Sequence, residues 1–158
     1  MKTKEITENN KLIAEFMGMK PSKIFGKYSI SKDHCTCNED TPDKAMNGFA
    51  SIAKYNTSWD WLMPIVEEIE KEGFSVYIAS GWKRHSGVTK ITHVCDITIS
   101  GFFSKNHEHW SKFGDTKIKA VYLAIIEFVK WYNENKPEFM EDYLNPEDIE
   151  DINDSLSK

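Results

Sequence analysis

Residues 74–99 read FSVYIASGWKRHSGVTKITHVCDITI, and two alternating runs within them decide the fold. Phe74, Val76 and Ile78 alternate with Ser75, Tyr77 and Ala79, and Ile91, His93, Cys95, Ile97 and Ile99 alternate with Thr92, Val94, Asp96 and Thr98. A period of two belongs to a strand with one buried face, so the stretch predicts two strands paired as a hairpin. The connection from Ser80 to Lys90 holds Gly81 and Gly87 and is long for a hairpin, which places its residues in a loop or on flared strand ends.

Amphipathic segments flank this hairpin. Upstream, Leu62, Ile65, Val66 and Ile69 recur at helical spacing and Gly73 closes the run. A cap at Asp60 puts Pro64 in the first turn, where its missing N–H costs no bond; a cap at Ser58 puts it in the helix interior. Downstream, Thr116 precedes a run apolar at Ile118, Val121, Tyr122, Ile125, Ile126, Val129 and Tyr132. Leu123, Phe128 and Trp131 lie off that stripe, so this last helix is apolar on more than one face and is expected to meet a second layer or a second subunit. A shorter helix is predicted over residues 6–17, stopped by Gly18. Residues 19–54 hold no sustained period and read as a long excursion, open as to whether it adds a strand.

The resulting class is α+β, a small antiparallel sheet layered with helices as an α-β-α sandwich. The 158 residues suffice for one domain that needs neither disulfide nor metal to fold. We place that domain at residues 1–135 and an acidic tail or short helix at 136–158. The tail carries eight acids against two lysines, so it accounts for −6 of a chain whose net charge is −5, and the remainder is close to neutral. In the tail, Asn145 and Pro146 form a cap and first-turn pair before Ile149, Ile152 and Leu156.

Between Gly73 and Cys95 there is no acid, while Lys83, Arg84 and Lys90 lie inside it. Trp82 beside two cations in a Gly-flanked segment is an arrangement that stacks a base and holds its phosphate, so Trp82, Lys83, Arg84 and Lys90 are the candidate ligand-binding residues. The plainer alternative is a solvated loop with its tryptophan folded back on the sheet. Three cations fall short of the contacts that duplex nucleic acid usually demands, so a small anionic ligand is the expected partner and duplex binding is not.

His34, Cys35 and Cys37 lie in the excursion, and His93 and Cys95 share one strand face, so five soft or borderline ligands are available to a zinc ion. No cofactor is otherwise expected, and a core histidine with a small buried thiol explains His93 and Cys95 more simply. His107 and His109 flank Glu108 in a polar loop, a second place for acid–base chemistry. No Gly-x-Ser-x-Gly, Walker loop or His-Glu-x-x-His is present, so an enzyme has no signature here. The apolar runs fall short of the ~20 residues that span a bilayer, and MKTKEITENNK lacks an apolar signal core; no membrane partner and a cytoplasmic site are predicted.

The run Tyr55-x-x-Ser58-Trp59-x-Trp61-x-x-Pro64-x-Val66-Glu67-x-Ile69, the strand bearing Cys95-x-Ile97, and Ile118-x-Ala120-Val121-Tyr122-x-Ala124 together resemble the phage and prophage ABA-sandwich domain family over residues 8–134. The resemblance implies a viral accessory protein acting in the host cytoplasm, and it brings no established reaction or catalytic residue. The order of elements is also similar to double-stranded RNA-binding domains, with Lys112, Lys117 and Lys119 opening the last helix. The leading expectation is therefore a non-enzymatic homo-oligomer, joined through the last helix, that sequesters a nucleotide-like anion or a host factor to counter host defence. A decoy acting on a host protein through the acidic tail, a metal-dependent hydrolase using His34, His93 and Cys95, and a double-stranded RNA-binding module are the alternatives.

Overall fold

A computed structural model of the chain describes residues 3–32, 35–85, 88–99 and 109–143, without the side chains of 24, 35, 82–85, 88–90, 99 and 136–143. The elements in order are α1 (Thr3–Phe16), β1 (Ser22–Ile24), β2 (Lys27–Lys32), β3 (Cys35–Glu39), α2 (Pro42–Ile52), α3 (Trp59–Lys71), β4 (Phe74–His85), β5 (Val88–Ile99), β6 (His109–Gly114) and α4 (Lys117–Tyr143). The fold is α+β, and its strands form two antiparallel sheets, β1-β2-β3 and β4-β5-β6, where one was expected. The excursion supplies the whole of the first sheet and α2 besides.

Four of the helix ends have a local cause. α1 stops at Gly18, whose φ of 69° lets its N–H reach the Glu15 carbonyl while Met19 N–H reaches the Ala14 carbonyl. That pair of bonds is the Schellman ending, which a β-carbon would strain. Thr41 caps α2 through its hydroxyl, which accepts from Lys44 N–H at 3.3 Å, and Pro42 follows at the first turn. Ala45, Met46, Phe49 and Ala50 form the buried stripe of that helix. α3 is capped at Ser58, so Pro64 lies inside the helix and removes the donor that would bond the Asp60 carbonyl. Asp60 is exposed, so water can take that place. Thr116 caps α4 as expected, accepting from Lys119 N–H at 3.3 Å. α4 then runs across the 135/136 boundary and through Pro137; the tail helix predicted after Asn145 lies outside the described residues.

Two aromatic clusters knit the layers. Phe74 on β4 meets Phe128 on α4 edge to face at 4.7 Å, and Trp110 on β6 meets Trp131 on α4 at 4.5 Å. Phe16 closes the same cluster from α1, 5.4 Å from Tyr132. The off-stripe face of α4, expected to meet a second layer or a second subunit, meets a second layer within the chain at Phe128, which is fully buried, and at Trp131, which like Leu123 is half-buried. In the second cluster Trp61 of α3 lies between Phe49 and Tyr55, and the Lys32 ammonium of β2 sits over the Tyr55 and Trp61 rings at 5.6 and 5.4 Å.

One polar side chain joins three helices. Asn10 of α1 is buried, and its amide donates to the Ala50 and Ala53 carbonyls at 3.0 Å each while its oxygen accepts from the Tyr122 hydroxyl of α4 at 3.0 Å. Those two carbonyls are among the four that every helix leaves without an internal donor. Asn10→Ala strips partners from two carbonyls and a phenol at once, and a loss of about 3 kcal/mol is expected in urea unfolding, against about 1 kcal/mol for Tyr122→Phe.

The first sheet meets its helix at close quarters. On the first sheet the Cys37 sulfur rests directly on Gly48, so closely that a β-carbon there would lie well inside contact distance. Glycine in mid-helix is otherwise unfavourable by about 0.5–1 kcal/mol. Gly48→Ala is expected to destabilise by about 1–3 kcal/mol in the native background and to stabilise once Cys37→Ala has removed the sulfur, a sign change that a double-mutant cycle reads directly.

Candidate functional site

The four candidate ligand-binding residues lie on strands rather than in a loop. β4 and β5 are 12 residues each and pair along their full length, from Phe74↔Ile99 to His85↔Val88. The third strand is shorter: β6 pairs only with His93–Thr98. The pairs Gly81↔Thr92, Trp82↔Ile91, Lys83↔Lys90, Arg84↔Thr89 and His85↔Val88 therefore extend beyond it as a two-stranded ribbon about 17 Å long. The expected long connection shrinks to residues 86 and 87, and the four candidates lie on strand ends that stay paired to His85↔Val88.

The register sorts the candidates. Lys83 stands directly opposite Lys90, and the pleat puts positions 83 and 90 on one face of the ribbon and positions 82, 84, 89 and 91 on the other. Like charges directly opposite destabilise a strand pair, and the sequence between Gly73 and Cys95 holds no acid. Lysines on open strand edges also block edge-to-edge pairing, which is their plainer role. Ile91, opposite Trp82 in the register, is exposed.

The metal candidates separate. Cys37 is on the first sheet against α2, whereas Cys95 is wholly buried on the second, between Ile78 and Lys112 in the register. His93 Nδ1 is 2.8 Å from the Ser80 hydroxyl, its cross-strand partner. Among the described residues no three His, Cys, Asp or Glu side chains come together to hold a metal. His34, His107 and the Cys35 side chain lie outside those residues, so the predicted cluster is described only at Cys37, His93 and Cys95. A serine–histidine pair is the beginning of a nucleophilic site, but no described residue bonds the other ring nitrogen of His93 to orient it.

Two of the lysines expected to open α4 toward RNA are engaged within the chain. Lys112 pairs with Glu127 and Lys119 with Asp115, each at 2.6 Å. No described helix is long and apolar enough to cross a membrane. No protein family matches this chain, and no curated protein matches it either.

Burial, assisted by the Asp96 charge, pushes the Cys95 thiol up to about 12 from an ordinary value near 9. The unfolded thiol therefore ionises first, so this contribution to stability is complete below pH 9 and is lost as pH rises toward 12. Burial pushes the Tyr122 hydroxyl the same way. Urea unfolding between pH 8 and 12 should show a falling stability in the native chain and a shallower fall in Cys95→Ala.

Proposed function

We propose that this chain is a non-enzymatic binding protein whose β4–β5 ribbon takes an anionic, nucleotide-like ligand. Its setting, on the resemblance described above, is that of a phage or prophage accessory protein that sequesters such a ligand or a host factor. The observation that supports this reading is the Lys83↔Lys90 pair, two like charges opposite one another in register within a stretch of sequence that holds no acid. A phosphate placed between them turns a repulsive pair into two charge-assisted contacts. Trp82 and Arg84, at positions on the reverse face, are the secondary contributors, reached by a ligand that extends over the ribbon edge.

This reading predicts a trade between stability and binding. Lys83→Glu creates an opposite-charge pair with Lys90 and is expected to raise stability by roughly 0.5 kcal/mol. The same substitution is expected to weaken binding of ATP, the calorimetric probe, at least tenfold at low ionic strength, with a smaller loss in Arg84→Ala. Unchanged affinity in Lys83→Glu overturns the assignment of the site. So does a native chain that binds neither ATP nor inorganic phosphate and retains no extra mass in native mass spectra after purification from cells.

A further inference from the structure

The turn between β1 and β2 carries two costs that its own fold does not repay. Ile24 and Lys27 are the last paired residues, so the loop is Phe25-Gly26 alone, with φ values of 48° and 81°. Such a tight turn needs positive φ at both positions, which glycine and asparagine supply readily. Phenylalanine does not: a bulky side chain at positive φ is strained, and Phe25 is the only described non-glycine residue in that region. Its ring is also fully exposed, at 103% of its reference area. Backbone strain together with an uncovered aromatic ring at a loop tip is the pattern of a residue kept for contact with something else.

The same chain offers a receptor of matching scale. Between the end of α1 and the start of α2 lies a groove of about 250 Å³ whose apolar lining comes from Met19, Pro21, Pro42 and Met46. This is below the ~300 Å³ at which small-molecule sites begin and suits a single side chain better than a ligand. Methionine and proline make an adaptable apolar wall for an aromatic ring, with favourable sulfur–ring contacts. The charges around the groove balance, Glu15 and Asp43 against Lys11 and Lys20, so the two lysines that flank Phe25, Lys23 and Lys27, meet no net repulsion there.

We propose that the chain forms a two-fold dimer in which Phe25 of each copy seats in the groove between α1 and α2 of the other. Phe25 stands four residues from Pro21 of the groove wall, at most about 14 Å of chain, so knob and groove share one patch, as a two-fold contact requires; on separate patches the same contact would run on as a filament. Each ring covers ~150–250 Å² of its own surface and a similar area of groove. Two such contacts give ~600–1,000 Å², below the ~1,200 Å² of a stable interface, so the dimer is weak and forms with concentration. The inference is independent of the ribbon, since neither Phe25 nor the groove touches it.

Sedimentation velocity tests it between roughly 1 and 300 µM, the range over which a dimer of micromolar Kd converts. The native chain is expected to pass from monomer to dimer. Phe25→Asn is expected to stay monomeric throughout while melting no lower than the native monomer, because asparagine tolerates the turn. p-Benzoylphenylalanine at position 25, irradiated in a mixture of isotopically light and heavy protein, is expected to link light chains to heavy ones at Met19 or Met46. A native chain monomeric over the whole range overturns the proposal, as does a Phe25→Asn dimer of unchanged strength. Links confined within single chains, or falling on the open face of the second sheet around Tyr77 and Phe113, overturn it as well.

Discussion

The packing of this protein turns on one buried amide. Asn10 satisfies the last carbonyls of α2 and accepts the Tyr122 phenol, so three helices from distant parts of the chain meet at one side chain. An amide buried without partners is costly, and its geometry is demanding when satisfied, so α1, α2 and α4 have one relative arrangement in which all its bonds close. The apolar clusters then fill the space that this arrangement leaves. Phe74, Phe128 and Trp110 anchor the second sheet to α4, while Trp61, Tyr55 and Phe49 anchor α3 to α2 with Lys32 of the first sheet lying over the rings.

Function, on the reading proposed, sits where this packing ends. β6 pairs with only half of β5, and α4 packs its large side chains near the Phe74 end of the sheet, so among the described residues the opposite end of β4 and β5 continues as a two-stranded ribbon. An isolated two-stranded ribbon is marginal in water, and a like-charged pair inside it makes it more so. Phe25 shows the same economy in the first sheet: a strained and exposed ring on a tight turn is tolerated because the rest of the fold holds the turn in place. Both features are local departures from what stability alone would select, and both are carried by sheets anchored firmly elsewhere.

Much of this was legible in the chain. The period-two runs of 74–79 and 91–99, the 3.6 spacing before Gly73 and the cap at Thr116 all correspond to observed elements, because burial of one face imposes its period on the residues that face it. α2 was missed inside the stretch read as an excursion, although Thr41-Pro42 is a cap and first-turn pair and Ala45, Met46, Phe49 and Ala50 keep helical spacing, because small alanines make a faint stripe. The first hairpin was not legible, since Phe-Gly lacks the asparagine or aspartate that marks such turns. Nor was the ribbon, because Trp82-Lys83-Arg84-His85 alternates no apolar face and nothing local distinguishes a solvated strand from a loop.

By itself the sequence determined the class of the protein, the helices α1, α3 and α4 and the core of its hairpin, since each follows from periodicity and capping within a few turns of chain. It also marked the stretch without acids, which composition alone reveals. Only the tertiary structure decided which residues stand opposite one another. Whether Lys83 faces Lys90, whether His93 meets Ser80 and whether Cys37 rests on Gly48 depend on strand register and helix placement. Those are set by long-range burial and by the bonds of Asn10, interactions between residues that no local pattern connects.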